Sequence, residues 1–353
     1  MQFGISLLPD VEPETRSPVD YYRDVLAMSR LAEELGYSHV KMTEHYLMGY
    51  GGYCPSPLNF LSAVAAQTSR IRLFTGCILP VFHHPVKLAS YTAMVDAISD
   101  GRLDVGFARA YLPYEFETFG VPMDTNRERF ESTIETVIKL WTEENVSAET
   151  PFFSFRDATT LPRPTQAPHP PVYLSAVRTP ESFTRIGELG HGLMITPSGI
   201  ELNAEQVHRY REAFNAHHGD SGKKPTVVAS LPLYVAETDA EAARIADPYL
   251  REYLRVWIKS TDSWDNATSK DYPSYTGLSR YLRTLTPRDM RVSGSAFVGS
   301  PERVAERVRG YVEALQGIDV ILWQVDFGGM PYEVAAPSME LFAKEVMPKV
   351  VDL

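Results

Sequence analysis

A carboxylate and an imidazole stand side by side at Glu44 and His45, directly after the short apolar run from Tyr37 to Met42. An imidazole titrates near neutral pH, so His45 can serve as an acid, a base or a hydrogen-bond donor to a reactive oxygen. A histidine satisfied inside a loop would look the same. His83 and His84 add two more imidazoles, which admits a metal reading. There is no HxH in the first strand and no HExxH anywhere, so no metal is expected. Pro85 at the first position of a helix instead suits a capping role for that pair. Arg109 follows another apolar run, in Gly106-Phe107-Ala108-Arg109-Ala110. A guanidinium there needs a partner, either a phosphate held bidentately or a neighbouring carboxylate. The stretch Ser175 to Ser182 closes a further run and opens a helix, where free amides and hydroxyls bind phosphate. Ordinary capping by Thr179 explains the same residues, but Arg109 on an adjacent strand would reach the same anion. No GxSxG is present and neither cysteine has a protease-like context, so nucleophilic hydrolysis is not supported.

The elements that must position these groups follow one pattern. Apolar runs at 2–8, 37–42, 71–79, 103–107, 172–175, 192–196, 227–235 and 320–325 read as eight strands. Helical spacing fills the intervals at 19–35, 58–67, 84–99, 126–141, from Thr179 onward, and at 205–217, 240–259, 301–315 and 335–346. Eight strands alternating with helices predict an α/β fold of the (β/α)8 TIM-barrel type, as one domain over 1–353. A doubly wound sheet is the alternative, but no GxGxxG follows any strand. In a barrel the carboxyl ends of the strands carry the chemistry, and Glu44, His45, Arg109 and Ser175 all fall there. Two insertions stand out. Residues 143–170 read as an excursion, a hairpin. Residues 260–293, polar and irregular with Trp264, Tyr272, Tyr275 and Tyr281, are too long for a connection and read as a lid. The aromatics Tyr111, Tyr114, Phe116 and Phe119 either line an apolar pocket or pack their own loop, with packing the default.

Composition narrows the partners. Net charge is −11, with 44% hydrophobic and 22% charged residues, which disfavours nucleic acid and anionic membranes. No apolar run reaches membrane-spanning length. Two cysteines, Cys54 and Cys77, form neither a CxxC pair nor a zinc spacing, so a cytoplasmic protein is expected. The opening Met1 to Ser6 has no basic and apolar leader pattern, so no secretory signal is expected. Alanine-rich helices at 58–67 and 88–97 suit either a homodimer or close packing on the barrel.

These residues, taken in order, resemble the bacterial-luciferase-like flavin monooxygenases nearly end to end. The resemblance rests on Phe3-Gly4, Glu44-His45-Tyr46, Thr75 to Pro80 with His84-Pro85, and Ser99-Asp100-Gly101-Arg102-Leu103. Gly106, Arg109, Phe119-Gly120-Val121, Val298 to Glu302 and Met339 to Pro348 complete it. The resemblance implies reduced FMN (FMNH2) lying across the carboxyl ends of the strands and reacting with O2 through a C4a-(hydro)peroxyflavin to oxygenate a small organic substrate. A separate flavin reductase would supply the FMNH2. His45 matches the family's oxygen-chemistry histidine, and Glu44 the carboxylate beside it. Thr75-Gly76 matches the segment against the flavin ring, which often holds a non-prolyl cis peptide. Arg109 matches the arginine on the flavin phosphate, and Ser175, Ala176 and Thr179 the turn holding that phosphate from the other side. A homodimer is also implied. Tyr46 stands where many members have a second histidine, Ala108 where luciferase has a reactive cysteine, and Ser175 where it has a glutamate. These departures weaken light emission and a long-chain aldehyde as expectations. Two other readings share the barrel, a deazaflavin-dependent hydride-transferring oxidoreductase and a non-catalytic flavin-binding subunit.

Overall fold

The computed structural model describes residues 1–353. Its frame is a parallel barrel. Nine of the strands are β1 (Gln2–Leu7), β2 (His39–Met42), β3 (Arg72–Ile78), β4 (Leu103–Ala108), the hairpin strands β5 (Val146–Glu149) and β6 (Ser154–Ala158), β7 (Val172–Ser175), β8 (Gly192–Ile195) and β9 (Val227–Val235). β10 (Phe297–Gly299) and β11 (Val320–Gln324) follow. The order β9-β11-β1-β2-β3-β4-β7-β8 closes through a β8–β9 pairing, giving eight parallel strands in a ring. β10 is added beside the end of β9, with Phe297 opposite Leu233. The eight runs read from the sequence are the eight barrel strands. Most are legible because strands covered on both faces are largely apolar, as β9 and β11 are, whereas β2 (His-Val-Lys-Met) alternates. In β11 all five residues are buried.

Helices join the strands and cover the barrel. Several begin at a Ser-Pro pair: Ser17-Pro18, Ser56-Pro57 and Ser300-Pro301. The serine hydroxyl accepts the amide three residues on, and the proline takes the first helical position, where its missing N–H costs nothing. Where β4 begins, Asp100 and Gly101 both have positive φ, 56° and 74°. That turn places Arg102 to donate to the carbonyls of Ala65, Thr68, Ile71 and Ser99, which ties the base of β3 and β4 together.

The 143–170 stretch contains the antiparallel β5–β6 hairpin. The 260–293 stretch is less irregular than its composition suggests. It holds a 3-10 turn at Asp262–Asn266 and helices at Leu278–Leu282 and Pro287–Ser293, the last entered through a capping box of Thr286 and Asp289. The aromatic loop after β4 also contains a helix, Pro113–Phe119. The helix expected at 205–217 starts earlier, spanning Ile200–His218. Asn203 is buried there and donates to the Thr196 carbonyl and the Tyr311 hydroxyl. No helix is long and apolar enough to cross a membrane.

Candidate active site

A cavity of about 470 Å³ opens at the carboxyl ends of the barrel strands. Its floor comes from inward-facing strand residues, among them Ser6, Lys41, Gly76, Cys77, Met194 and Ser230. Its roof comes from Tyr111 and from the 260–293 stretch, including Tyr272, Tyr275 and Leu278.

His45 sits in the loop after β2, buried, with its side chain on the cavity wall. Its Nδ1 is 3.1 Å from Glu115 Oε1, and the Tyr46 amide donates to the same oxygen. Glu115 comes from the Pro113–Phe119 helix and is fully buried, with Oε2 unpartnered. His45 Nε2 has no partner within the chain, so the carboxylate fixes one nitrogen and leaves the other for the cavity. The ring lies between Tyr50 and Tyr111, at centroid distances of 5.1 and 6.0 Å.

Glu44 is differently placed from what its neighbour suggests. Its Oε1 takes His83 Nε2 at 2.7 Å and the Tyr46 hydroxyl, and its Oε2 takes the Leu79 amide at 3.2 Å. Glu44 borders the cavity, but these three donors occupy it, and it anchors the β2 loop to the end of β3. Burial disfavours a protonated His83, yet the bonded Glu44 carboxylate outweighs that and raises its pKa. His84 is the N-cap of the following helix, accepting the Val86 amide. Tyr46 points away from the cavity into a cluster with Phe82 and Phe119.

Gly76 lines the cavity, and the Gly76–Cys77 peptide is cis. Thr75, expected with Gly76 to form the segment against the flavin ring, has its side chain turned away from the cavity. Its hydroxyl donates to the Gly106 carbonyl and accepts the Gly106 amide. The strand pleat turns it toward β4, where a Cβ on Gly106 would come within 2.3 Å of the Thr75 carbonyl oxygen.

The opposite wall carries two cations, Arg109 and Arg178. Arg109, just beyond β4, makes one long bond of 3.5 Å to the Asp271 carbonyl and lies over the Tyr272 ring. It has no carboxylate partner, so the ion-pair alternative for it is not realised. Arg178, after β7, lies over the Tyr281 ring and is likewise without one. Both line the cavity, as do Ser175, Ala176 and Thr179. Thr179 is the N-cap residue of the helix Pro180–Leu189 but its hydroxyl makes no capping bond. That hydroxyl and the Ser182 hydroxyl one turn on are both buried without a partner. Two unpaired guanidiniums, two orphaned hydroxyls and a helix N-terminus converge here in a chain of net charge −11. Groups of these kinds are those that bind phosphate in proteins.

Above the floor the walls are aromatic. Trp257 Nε1 donates to the Tyr111 hydroxyl at 3.0 Å, and the Trp257 and Tyr50 rings stack. Burial keeps the phenols of Tyr50, Tyr111 and Tyr253 well above their usual pKa, so they stay neutral donors. Of the loop aromatics, Tyr111 faces the cavity while Phe116 and Phe119 pack on Phe82, so packing holds for part of the cluster only. Glu115, Arg178, Ser182 and Lys41 join the site without having been singled out individually by sequence. Arg178 and Ser182 lay inside the flagged 175–182 stretch, whereas Glu115 and Lys41 carried no local signal.

Comparison with known proteins shows what the chain as a whole is similar to. A family model described as luciferase-like monooxygenase matches residues 1–316. The chain is 28% identical over 362 residues to the oxygenase component of the flavin-dependent trigonelline monooxygenase of Acinetobacter baylyi, covering 99% of this chain and 95% of the relative. It is 24% identical to an FMNH2-dependent dimethylsulfone monooxygenase of Pseudomonas putida, covering 99% and 93%. Among solved structures it is similar to the monooxygenase RslO1 of Streptomyces bottropensis, at 38% identity and a TM-score of 0.85 over 99% of both chains.

Proposed function

The chain belongs to the luciferase-like monooxygenase family, and from that premise we propose that it is the oxygenase component of a two-component flavin monooxygenase, one barrel domain that takes reduced FMN from a separate reductase and oxygenates a small organic substrate. Bound reduced FMN supplies the activation of molecular oxygen. The observation that carries the reading is the anion cradle of Arg109, Arg178, Thr179 and Ser182, which matches the phosphate of that cofactor in charge and in unmet hydrogen bonds.

The chain's own groups then divide the work. Ser175 and Ala176 bring the end of β7 against the phosphate side, and the helix starting at Pro180 adds its free amides. Gly76 offers a bare backbone surface to a flat ring, since any side chain there would collide with Lys41. His45, its Nδ1 held by Glu115, presents Nε2 to the reacting atoms as a donor or acceptor of a proton. Glu44 holds the loop that carries His45. The aromatic wall of Tyr50, Tyr111 and Trp257 excludes water and receives an organic substrate, and the 260–293 stretch closes over it as a lid. A cytoplasmic homodimer fits the chain, with the exposed stripe Tyr91, Met94 and Ile98 on the helix Pro85–Ile98 as the contact. Sedimentation of a Met94→Glu variant as a monomer would support that contact.

The test is anaerobic addition of reduced FMN to the flavin-free protein, followed by oxygen. Stable binding of the reduced cofactor, then oxygen uptake that responds to candidate substrates, is expected. Stable binding with no oxygen chemistry under any substrate would point to a non-catalytic flavin subunit, and preference for a deazaflavin to hydride transfer.

A further inference from the structure

One charged group on the cavity floor has no task in this account. Lys41 lies on β2, buried, with Nζ 3.0 Å from Ser6 Oγ, 3.1 Å from Thr43 Oγ1 and 3.3 Å from Ser230 Oγ. These are neutral hydroxyls from three parts of the barrel, and no carboxylate lies within ion-pair range of the ammonium. Its stem runs beneath Gly76, where an added Cβ would stand 2.0 Å from Lys41 Cε. Lys41, Gly76 and Cys77 border the same cavity.

The surrounding ionisable groups make no ion pair with it, and the attraction of Asp326 and Asp10 at longer range does not offset its burial. Burial pushes the Cys77 thiol up to about 12, so it is not a thiolate. Asp326 is pushed up to about 7 by burial, and burial and the nearby Asp326 raise Asp10 well above the usual carboxylate range. Both aspartates are engaged elsewhere, Asp326 with the Leu8 amide and Tyr21 hydroxyl, Asp10 with Gln324 and the Gly328 amide. The floor hydroxyls also have bonds that do not involve the lysine, Ser230 to Ser6 and Thr43 to the Gly76 carbonyl. Lys41 is therefore not required to complete the floor, and an unpaired ammonium there is unfavourable until something anionic enters.

The phosphate has its own cations on the β4 and β7 side. A second cation on the β2 side of the floor calls for a second centre of negative charge in the same ligand. On the FMN reading above, that centre is the ring, which is neutral when oxidised and loses its N1 proton near neutral pH when reduced. We propose that Lys41 is the counter-cation of the reduced flavin ring, so that the cavity selects reduced over oxidised FMN. An oxygenase fed by diffusing cofactor needs this discrimination, because it must take up the reduced form and release the oxidised one.

The experiment compares binding of oxidised FMN and of anaerobically reduced FMN to wild type, Lys41→Met, Lys41→Gln and Arg109→Ala, with near-ultraviolet circular dichroism as the check on folding. Both Lys41 variants are expected to bind reduced FMN at least about tenfold more weakly, as for a lost charged hydrogen bond. Oxidised FMN should bind as in wild type. Each tenfold lowers the potential of bound flavin by about 30 mV for this two-electron couple. Arg109→Ala should weaken both oxidation states alike. Equal effects of Lys41 variants on both states, or no effect, would overturn the proposal and leave the FMN reading standing. Failure of wild type to bind either state would overturn both.

Discussion

An unpaired buried cation should destabilise the flavin-free protein, and removing it should do the reverse. Burial lowers the Lys41 pKa from the ordinary 10.5 to about 8. That difference corresponds to roughly 3 kcal/mol. It is an upper figure, since the hydroxyls of Ser6, Thr43 and Ser230 solvate part of the ammonium. Between pH 8 and 10.5 the unfolded chain binds more protons at this site than the folded one, so wild-type stability rises with pH across that window. Below pH 8 the full penalty is present. Methionine occupies similar space without charge, and Ser230–Ser6 and Thr43–Gly76 stay paired without the amine. Flavin-free Lys41→Met should therefore exceed wild type at pH 7 by up to about 3 kcal/mol. At about 2.1 cal/mol/K per residue over 353 residues, that is a Tm increase of about 4 °C. Scanning calorimetry from pH 6.5 to 10 should show the gap closing as pH rises. A variant less stable than wild type by an amount independent of pH would show that Lys41 is a structural tie, and the counter-cation argument would fall.

Glu115→Gln keeps an acceptor for the Tyr46 amide but removes the charge that holds His45, so turnover should fall by about tenfold or more while reduced-FMN affinity stays within about twofold. Unchanged turnover would remove His45 orientation from the account. Arg109→Ala should cost about 1.5–3 kcal/mol of FMN binding, read by fluorescence titration. Unchanged affinity would move the phosphate away from the β4 side.

The barrel was legible because parallel strands announce themselves as continuous apolar runs, and because Ser-Pro pairs mark where helices start. Arg109 and Ser175 to Ser182 were legible for a related reason: polar residues placed directly at strand ends stand at the barrel mouth. What was hidden depends on contacts distant in sequence. Glu115 meets His45 across 70 positions, and in Tyr114-Glu115-Phe116-Glu117 it reads as one more surface glutamate. Lys41 sits between Val40 and Met42 in a strand that alternates polar and apolar residues, and only the closed barrel shows that its end faces Ser6 and Ser230 instead of solvent. Thr75 is the opposite case. It adjoins a glycine that does line the cavity, but the strand pleat sends its side chain to Gly106. Residues 260–293 looked irregular because their helices are short, while their aromatics are ordered by the cavity they cover.

The most direct test of the central claim is an anaerobic titration of the flavin-free protein with reduced FMN and, separately, with reduced riboflavin, which differs by the phosphate alone. Arg109, Arg178, Thr179 and Ser182 should make reduced FMN bind at least about tenfold more tightly, and that preference should shrink as salt screens the half-exposed guanidiniums. Equal affinity for the two would contradict the anion cradle of Arg109, Arg178, Thr179 and Ser182 as a phosphate site, and absence of binding by either would contradict the flavin reading itself.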